Sequence, residues 1–248
     1  VDLGLKNKKV LISGGSKGIG LAIAQKFIDE GAFVSICARN QQGIDKAILQ
    51  LGDRAMGMTV DINKADEVER WIKESHKKMG GLDHVVANVS ALASGRDLQT
   101  WKKAVDTDLL GTVALVNETL PYLTKQKNGS IVIISSVSAS EIDVFAEPYG
   151  ALKAALNHYG KSVALRVAEH NVRVNLVSPG TIYFKGGIWD QIEREQPELY
   201  NTALKNNPLG RMGTPEDVAS TVVFLTSEQA SFITGSNLVV DGGMTKRV

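Results

Sequence analysis

Lys9-Val10-Leu11-Ile12-Ser13-Gly14-Gly15-Ser16-Lys17-Gly18-Ile19-Gly20 is the stretch whose reading decides the fold. Its apolar opening reads as a short buried strand, and the glycines turn that strand into a helix from about Gly18. Glycine lets the backbone take positive φ and come close to a ligand. The free N–H groups and the positive dipole end of the helix then face an anion, so the unit is a place to hold a phosphate.

Three more specific readings of the turn compete. A P-loop is excluded, because no Gly-Lys-Ser/Thr ending is present. The strict G-x-G-x-x-G dinucleotide fingerprint is not met either, since the glycines run Gly14, Gly18, Gly20. Gly14-Gly15-Ser16-Lys17-Gly18 does satisfy G-x-S-x-G, the nucleophile elbow of serine hydrolases. That elbow needs earlier strands and an oxyanion loop, for which the preceding residues leave no room. It also needs a late histidine after an acid, and the histidines are His76, His84, His158 and His170.

Composition narrows the class. A chain of 248 residues with 43% hydrophobic and 22% charged residues is long and apolar enough for one large α/β core. A formal net charge of +1 gives no general attraction to nucleic acid or an acidic membrane. Cys37 is the single cysteine, which excludes internal disulfides and cysteine-rich metal sites, and no metal is expected. No apolar run reaches membrane-spanning length and the chain enters a strand directly, so a soluble cytoplasmic protein is expected.

Beyond the first helix, strand-like runs at 33–38, 55–60, 83–87, 130–135, 173–177 and 237–240 alternate with helical patterns at 41–51, 64–78, 97–124, 148–168 and 215–225. Such alternation with buried, β-branched strands predicts a doubly wound parallel sheet covered by helices on both faces. No linker, repeat or low-complexity tract divides the chain, so 1–248 is read as one Rossmann-type domain. Residues 181–214 are too long for a plain connection and read as a substrate loop, with a packing or oligomerising excursion as the bland alternative.

Ligands of an open parallel sheet bind beyond the carboxyl ends of its strands. About twenty residues after the glycines, where an acid would accept from the ribose hydroxyls of NAD, this chain has Arg39. A guanidinium meets a 2′-phosphate with parallel hydrogen bonds, and Lys17 approaches from the other side, so NADP(H) is preferred over NAD(H). At the third strand end, Asp61 and Asn63 are equally explained as helix caps, and Asp61 equally as an acceptor for the adenine amino group.

Tyr149 and Lys153 are one turn apart on a predicted helix and share a face. Alone, that pair is an ordinary amphipathic face. Ser136, at the carboxyl end of the preceding strand, sits on the same rim as the glycine turn, which lets the three converge on one carbonyl. A phenol titrates near pKa ~10. A neighbouring ammonium lowers that value, so Tyr149 serves as acid in carbonyl reduction and base in alcohol oxidation, with Ser136 orienting the oxygen.

At this point the chain resembles the classical short-chain dehydrogenase/reductases over nearly its whole length. The resemblance rests on residues 13–20, Asp61, the Ser136 to Tyr149 spacing, Tyr149-Gly150-Ala151-Leu152-Lys153, Ser178-Pro179-Gly180 and Val240-Asp241-Gly242-Gly243. It is nearest to 3-oxoacyl-carrier-protein reductase-like members of the NADPH-preferring type. It implies a sheet order 3-2-1-4-5-6-7 and a homotetramer or dimer. It implies that Tyr149 donates the proton, that Lys153 also holds the nicotinamide ribose and that Ser136 orients the substrate. The implied cofactor set is Gly14, Ser16, Lys17, Gly18, Ile19, Gly20, Arg39, Asn40, Asp61, Ile62, Asn88, Tyr149, Lys153, Pro179, Gly180 and Ile182.

Two departures from the family pattern stand out. Ala87-Asn88-Val89-Ser90 replaces the usual Asn-Asn-Ala-Gly, and Asp108 replaces an Asn that often completes the catalytic set. Asp108 is therefore counted with the candidate catalytic residues. As a carboxylate it is expected to raise the Lys153 pKa and weaken the lysine's effect on Tyr149. The substrate walls fall at 91–96, 138–147 and 181–214. Glu141, Asp143 and Glu147 point to a polar substrate, while Phe145, Tyr183, Phe184 and Trp189 point to an apolar one. An acidic carrier would need a basic patch, for which Lys125, Lys127 and His170 are the candidates. The rival from another class is a non-catalytic NADP(H)-binding redox sensor, supported by Asp108 alone.

Overall fold

The computed structural model describes residues 2–142 and 146–246. Seven strands, β1 (Lys9–Ser13), β2 (Phe33–Ala38), β3 (Ala55–Thr59), β4 (His84–Ala87), β5 (Gly129–Ile134), β6 (Val172–Pro179) and β7 (Asn237–Val240), form one sheet in the order β3-β2-β1-β4-β5-β6-β7. Every neighbouring pair is parallel. Strand order therefore reverses between β1 and β4, which opens a crevice at their carboxyl ends.

The strands are buried because successive side chains go to opposite faces and both faces are covered. Leu11, Val85, Ile131 and Ile133 pack with Trp71 and Leu115 on one side. Their neighbours Val10, Ile12, Val86, Val132 and Ile134 pack with Phe27 and Val218 on the other. The first layer is built by α3 (Ala65–Met79), α5 (Gly111–Gln126) and α6 (Glu147–Val167), the second by α1 (Gly18–Asp29), α2 (Gln41–Leu51) and α9 (Pro215–Thr226).

Two segments differ from the sequence expectation. The helix expected over 97–124 is broken into α4 (Leu98–Ala104), a π-helical turn (Val105–Leu110) and α5. The extra residue per turn there carries Asp108 inward, where its side chain is fully buried. Residues 181–214 are not an open loop but hold α7 (Ile188–Glu195) and α8 (Pro197–Lys205), neither of which has a buried residue. Their base is pinned by the Asn207 Nδ2 bond to Thr181 Oγ1 (2.9 Å) and by Gly213 N to Thr181 O (2.9 Å). Among the described residues no helix is long and apolar enough to cross a membrane.

Candidate functional site

The glycine turn is held from behind by backbone. Gly14 N and Gly15 N both donate to Cys37 O, at 2.9 and 3.2 Å. Gly14 (φ 69°) and Gly18 (φ 54°) occupy the left-handed region that side chains resist. A Cβ on Gly20 would lie 2.2 Å from Gly14 O, so the first turn of α1 closes on the loop only as glycine. Asn88, after β4, completes the brace: its Nδ2 donates to Ser13 O (3.1 Å) and Gly14 O (3.2 Å). Ser13, the last residue of β1, holds Asn88 in turn, its Oγ accepting from Asn88 N at 3.0 Å. Ile19 follows on α1, at its N-terminal end.

At the next corner Lys17 and Arg39 are exposed, and neither makes a hydrogen bond or ion pair among the described residues. Ser16, the chain neighbour of Lys17, has its Oγ 3.6 Å from where a Cβ on Gly43 would stand. Asn40 Oδ1 accepts from Gly43 N (2.8 Å) and so caps α2. Two unpaired cations beside a hydroxyl and a helix N-terminus form a cradle for an anion. Asp61 differs from the capping expectation. The N-cap of α3 is Lys64 without a side-chain bond, while Asp61 Oδ1 accepts from Asn63 N (3.1 Å) in a turn ahead of the helix. Ile62 is buried under α5, where a Cβ on Gly111 would meet its Cγ1 at 2.9 Å.

The third corner gathers Ser136, Tyr149 and Lys153. Ser136 lies two residues beyond the end of β5, and its Oγ accepts from Ser138 N (3.1 Å), which turns the chain sharply. The start of α6 closes against that turn, since a Cβ on Gly150 would sit 2.8 Å from Ser138 O. Tyr149, the neighbour of Gly150, stands at this start of α6, and Lys153 follows one turn later with Nζ 5.5 Å from the Tyr149 ring centroid.

Lys153 is only 2% exposed. Its Nζ donates to Ile134 O (2.9 Å) and stands 3.5 Å from Asp108 Oδ1, a charge contact that lacks hydrogen-bond geometry. The other carboxylate oxygen accepts from Ala91 N (2.9 Å), and the Asp108 carbonyl accepts from Thr112 Oγ1 (2.7 Å). Asp108 acts on the Lys153 pKa in the expected upward direction, but a larger effect works against it. Burial pulls that pKa below its ordinary value, and Asp108 only opposes the pull. Asp108 stands behind the lysine rather than on the rim with Ser136 and Tyr149.

Pro179 and Gly180 end β6, Gly180 N donating to Val240 O (2.9 Å), and Ile182 pairs with Gly213 as a short parallel bridge. Beyond them Phe184 reaches the glycine turn, because a Cβ on Gly18 would fall 2.5 Å from its Cζ. No spacing rule reveals that contact. Tyr183 turns the other way, its OH donating to Glu193 Oε2 (2.6 Å), which pushes its pKa up to about 12. Across the mouth Arg96 Nε pairs with Glu147 Oε1 at 2.9 Å, while Asp143 and Phe145 lie outside the described residues. Lys125, Lys127 and His170 precede β5 and β6, at the amino ends of the strands and so at the end of the sheet opposite Ser136.

Comparison with known proteins agrees with this geometry. A family model described as "Enoyl-(Acyl carrier protein) reductase" matches residues 14–245. Isoepoxydon dehydrogenase patN of Penicillium expansum is 35% identical over 250 residues, covering 97% of this chain and 96% of that protein. Dehydrogenase/reductase SDR family member 4 of Homo sapiens is 34% identical over 254 residues, covering 98% and 90%. The crystal structure of gox2181 superposes with a TM-score of 0.91 at 30% identity, covering 96% of each chain. With the strand order, the glycine turn and the rim of Ser136, Tyr149 and Lys153 as observed, the chain belongs to the classical short-chain dehydrogenase/reductases, oxidoreductases that use a nicotinamide cofactor.

Proposed function

We propose that the protein is an NADP(H)-dependent oxidoreductase that interconverts a carbonyl and a secondary alcohol. In this reading Tyr149 is the acid/base, Lys153 stabilises its phenolate and Ser136 orients the substrate oxygen. The observation that carries it is the placement of a buried lysine 5.5 Å from the ring of a tyrosine at the carboxyl end of the sheet. The cofactor fits the residues present. Gly14, Gly18, Ile19 and Gly20 offer the phosphate turn, and Asp61, Ile62 and Asn88 flank the groove. Pro179, Gly180 and Ile182 close its far side. Ser16, Lys17, Arg39 and Asn40 form the anion cradle that favours a 2′-phosphate, because two unpaired cations there gain partners.

When bound, the nicotinamide cofactor supplies or takes up the hydride. Ser136 holds the carbonyl oxygen by a hydrogen bond, and Tyr149 gives that oxygen its proton in reduction or removes it in oxidation. Lys153 places positive charge near the phenol ring, which stabilises the phenolate whenever the proton leaves. The same proposal takes 1–248 as one domain, small-molecule carbonyls or alcohols as substrates, a homo-oligomer and a cytoplasmic setting.

The test is NADPH oxidation, with NADH in parallel, over ketones, diketones, sugars, 3-oxoacyl thioesters and isoepoxydon, the last because a relative is named for it. Turnover preferring NADPH, and lower by ~10²–10⁴-fold in Tyr149→Phe with cofactor binding retained, is the expected result. Undiminished turnover in that variant would sink the assignment.

A further inference from the structure

Asp108 is the feature of this site that the reaction above does not use, and its surroundings are unusual. A fully buried carboxylate joins two walls, the loop after β4 through Ala91 N and α6 through Lys153 at 3.5 Å, while its backbone carbonyl accepts from Thr112 Oγ1 at the start of α5. A carboxamide would accept from Ala91 equally well. What the carboxylate adds is one negative charge against the lysine.

The other groups at this corner do not offset that charge. Ile134 contributes a neutral carbonyl. Ala93, Trp101, Ala104, Leu109 and Leu152, which pack around the corner, carry none. Arg96 and Glu147 at the exposed rim pair with each other at 2.9 Å. Asp108 is the charged group that acts on Lys153, opposing the effect of its burial.

We propose that Asp108 is a positioning residue that compensates the Lys153 charge, so that Tyr149 is the weaker acid and the phenolate that alcohol oxidation needs forms only at higher pH. Seen from the Tyr149 phenol, an ammonium backed by a carboxylate is a dipole rather than a full positive charge, and a dipole stabilises the phenolate less. The protonated phenol is the form that reduction needs. In that direction the carbonyl carbon gains a hydride from the reduced cofactor and the carbonyl oxygen gains the Tyr149 proton. One C=O becomes one CH–OH, and the cofactor is left oxidised by two electrons. The inference rests on the roles proposed for Tyr149 and Lys153.

The experiment titrates the Tyr149 phenol itself, by phenolate absorbance of the full chain minus that of Tyr149→Phe, with and without Asp108→Asn. In the parent protein a midpoint near the ordinary phenol value of ~10 is expected. In Asp108→Asn the midpoint should fall by about one pH unit, as expected for removing a nearby unit charge from a shielded interior. The pH at which alcohol oxidation reaches half of its maximal rate should fall by about the same one unit. An unmoved or raised midpoint overturns the inference. So does a parent midpoint already near neutrality, a result that needs no variant to fold. Because the titration requires no substrate, it stays separate from failure of the reaction assignment, which shows as turnover surviving in Tyr149→Phe.

Discussion

Lys153 and His84 are both buried basic side chains, at opposite ends of the sheet, and the protein treats them differently. Lys153, at the carboxyl end, has a carboxylate 3.5 Å away and a carbonyl at 2.9 Å. His84, at the start of β4, has Ser130 Oγ 2.9 Å from Nδ1 and a buried Nε2 with no hydrogen-bond partner among the described residues. Its charged neighbours Lys8 and Arg173 are cations, and burial with their repulsion pushes its pKa down to about 3. Burial disfavours charge in both places. At the end of the sheet that carries the site a counter-ion opposes the effect of burial, and at the other end the neighbouring charges add to it.

The comparison is broken most strongly at Lys153. Lys153→Met leaves the Asp108 carboxylate buried without its cation and should cost about 3–5 kcal/mol of stability, read from chemical denaturation. Adding Asp108→Asn should restore most of the stability and none of the turnover. If the single variant is as stable as the parent, the pair is not a compensated charge.

His84 sharpens the other side. Its folded pKa of about 3 lies below the ordinary 6.5, so between these values the unfolded chain binds the extra proton. Stability is therefore complete above about 6.5 and falls as the pH drops toward about 3, by up to about 5 kcal/mol. In His84→Gln that part of the acid slope should disappear from denaturation curves measured across the window. An unchanged slope would place the acid sensitivity elsewhere.

Lys17 and Arg39 supply the third case, cations left in water where charge costs little. Arg39→Ala should weaken NADPH binding about ten- to a hundredfold, the worth of charge-assisted hydrogen bonds, while NADH binding stays within about twofold. Fluorescence titration with both cofactors reads the difference. Equal losses for the two would show that Arg39 does not face a 2′-phosphate.

Much of this was legible in the residues because it is local. The strand, glycine turn and helix of 9–29 follow from apolar patterning and from glycine's tolerance of positive φ. The shared face of Tyr149 and Lys153 follows from helical periodicity. Alternating elements required a parallel sheet, and the order of its strands came from the family resemblance rather than from any pattern in the chain.

What only the tertiary structure decided depends on contacts between distant segments. The π-helical turn that carries Asp108 inward is invisible to a period of 3.6, and Lys153 meets Asp108 only because α6 and that turn pack at one corner. The same holds for Phe184 against Gly18, and for Lys125, Lys127 and His170 at the wrong end of the sheet. Sequence determines which groups each element offers, through periodicity and backbone freedom. Packing decides which of those groups share a dielectric and a counter-ion, and so which of them stay charged.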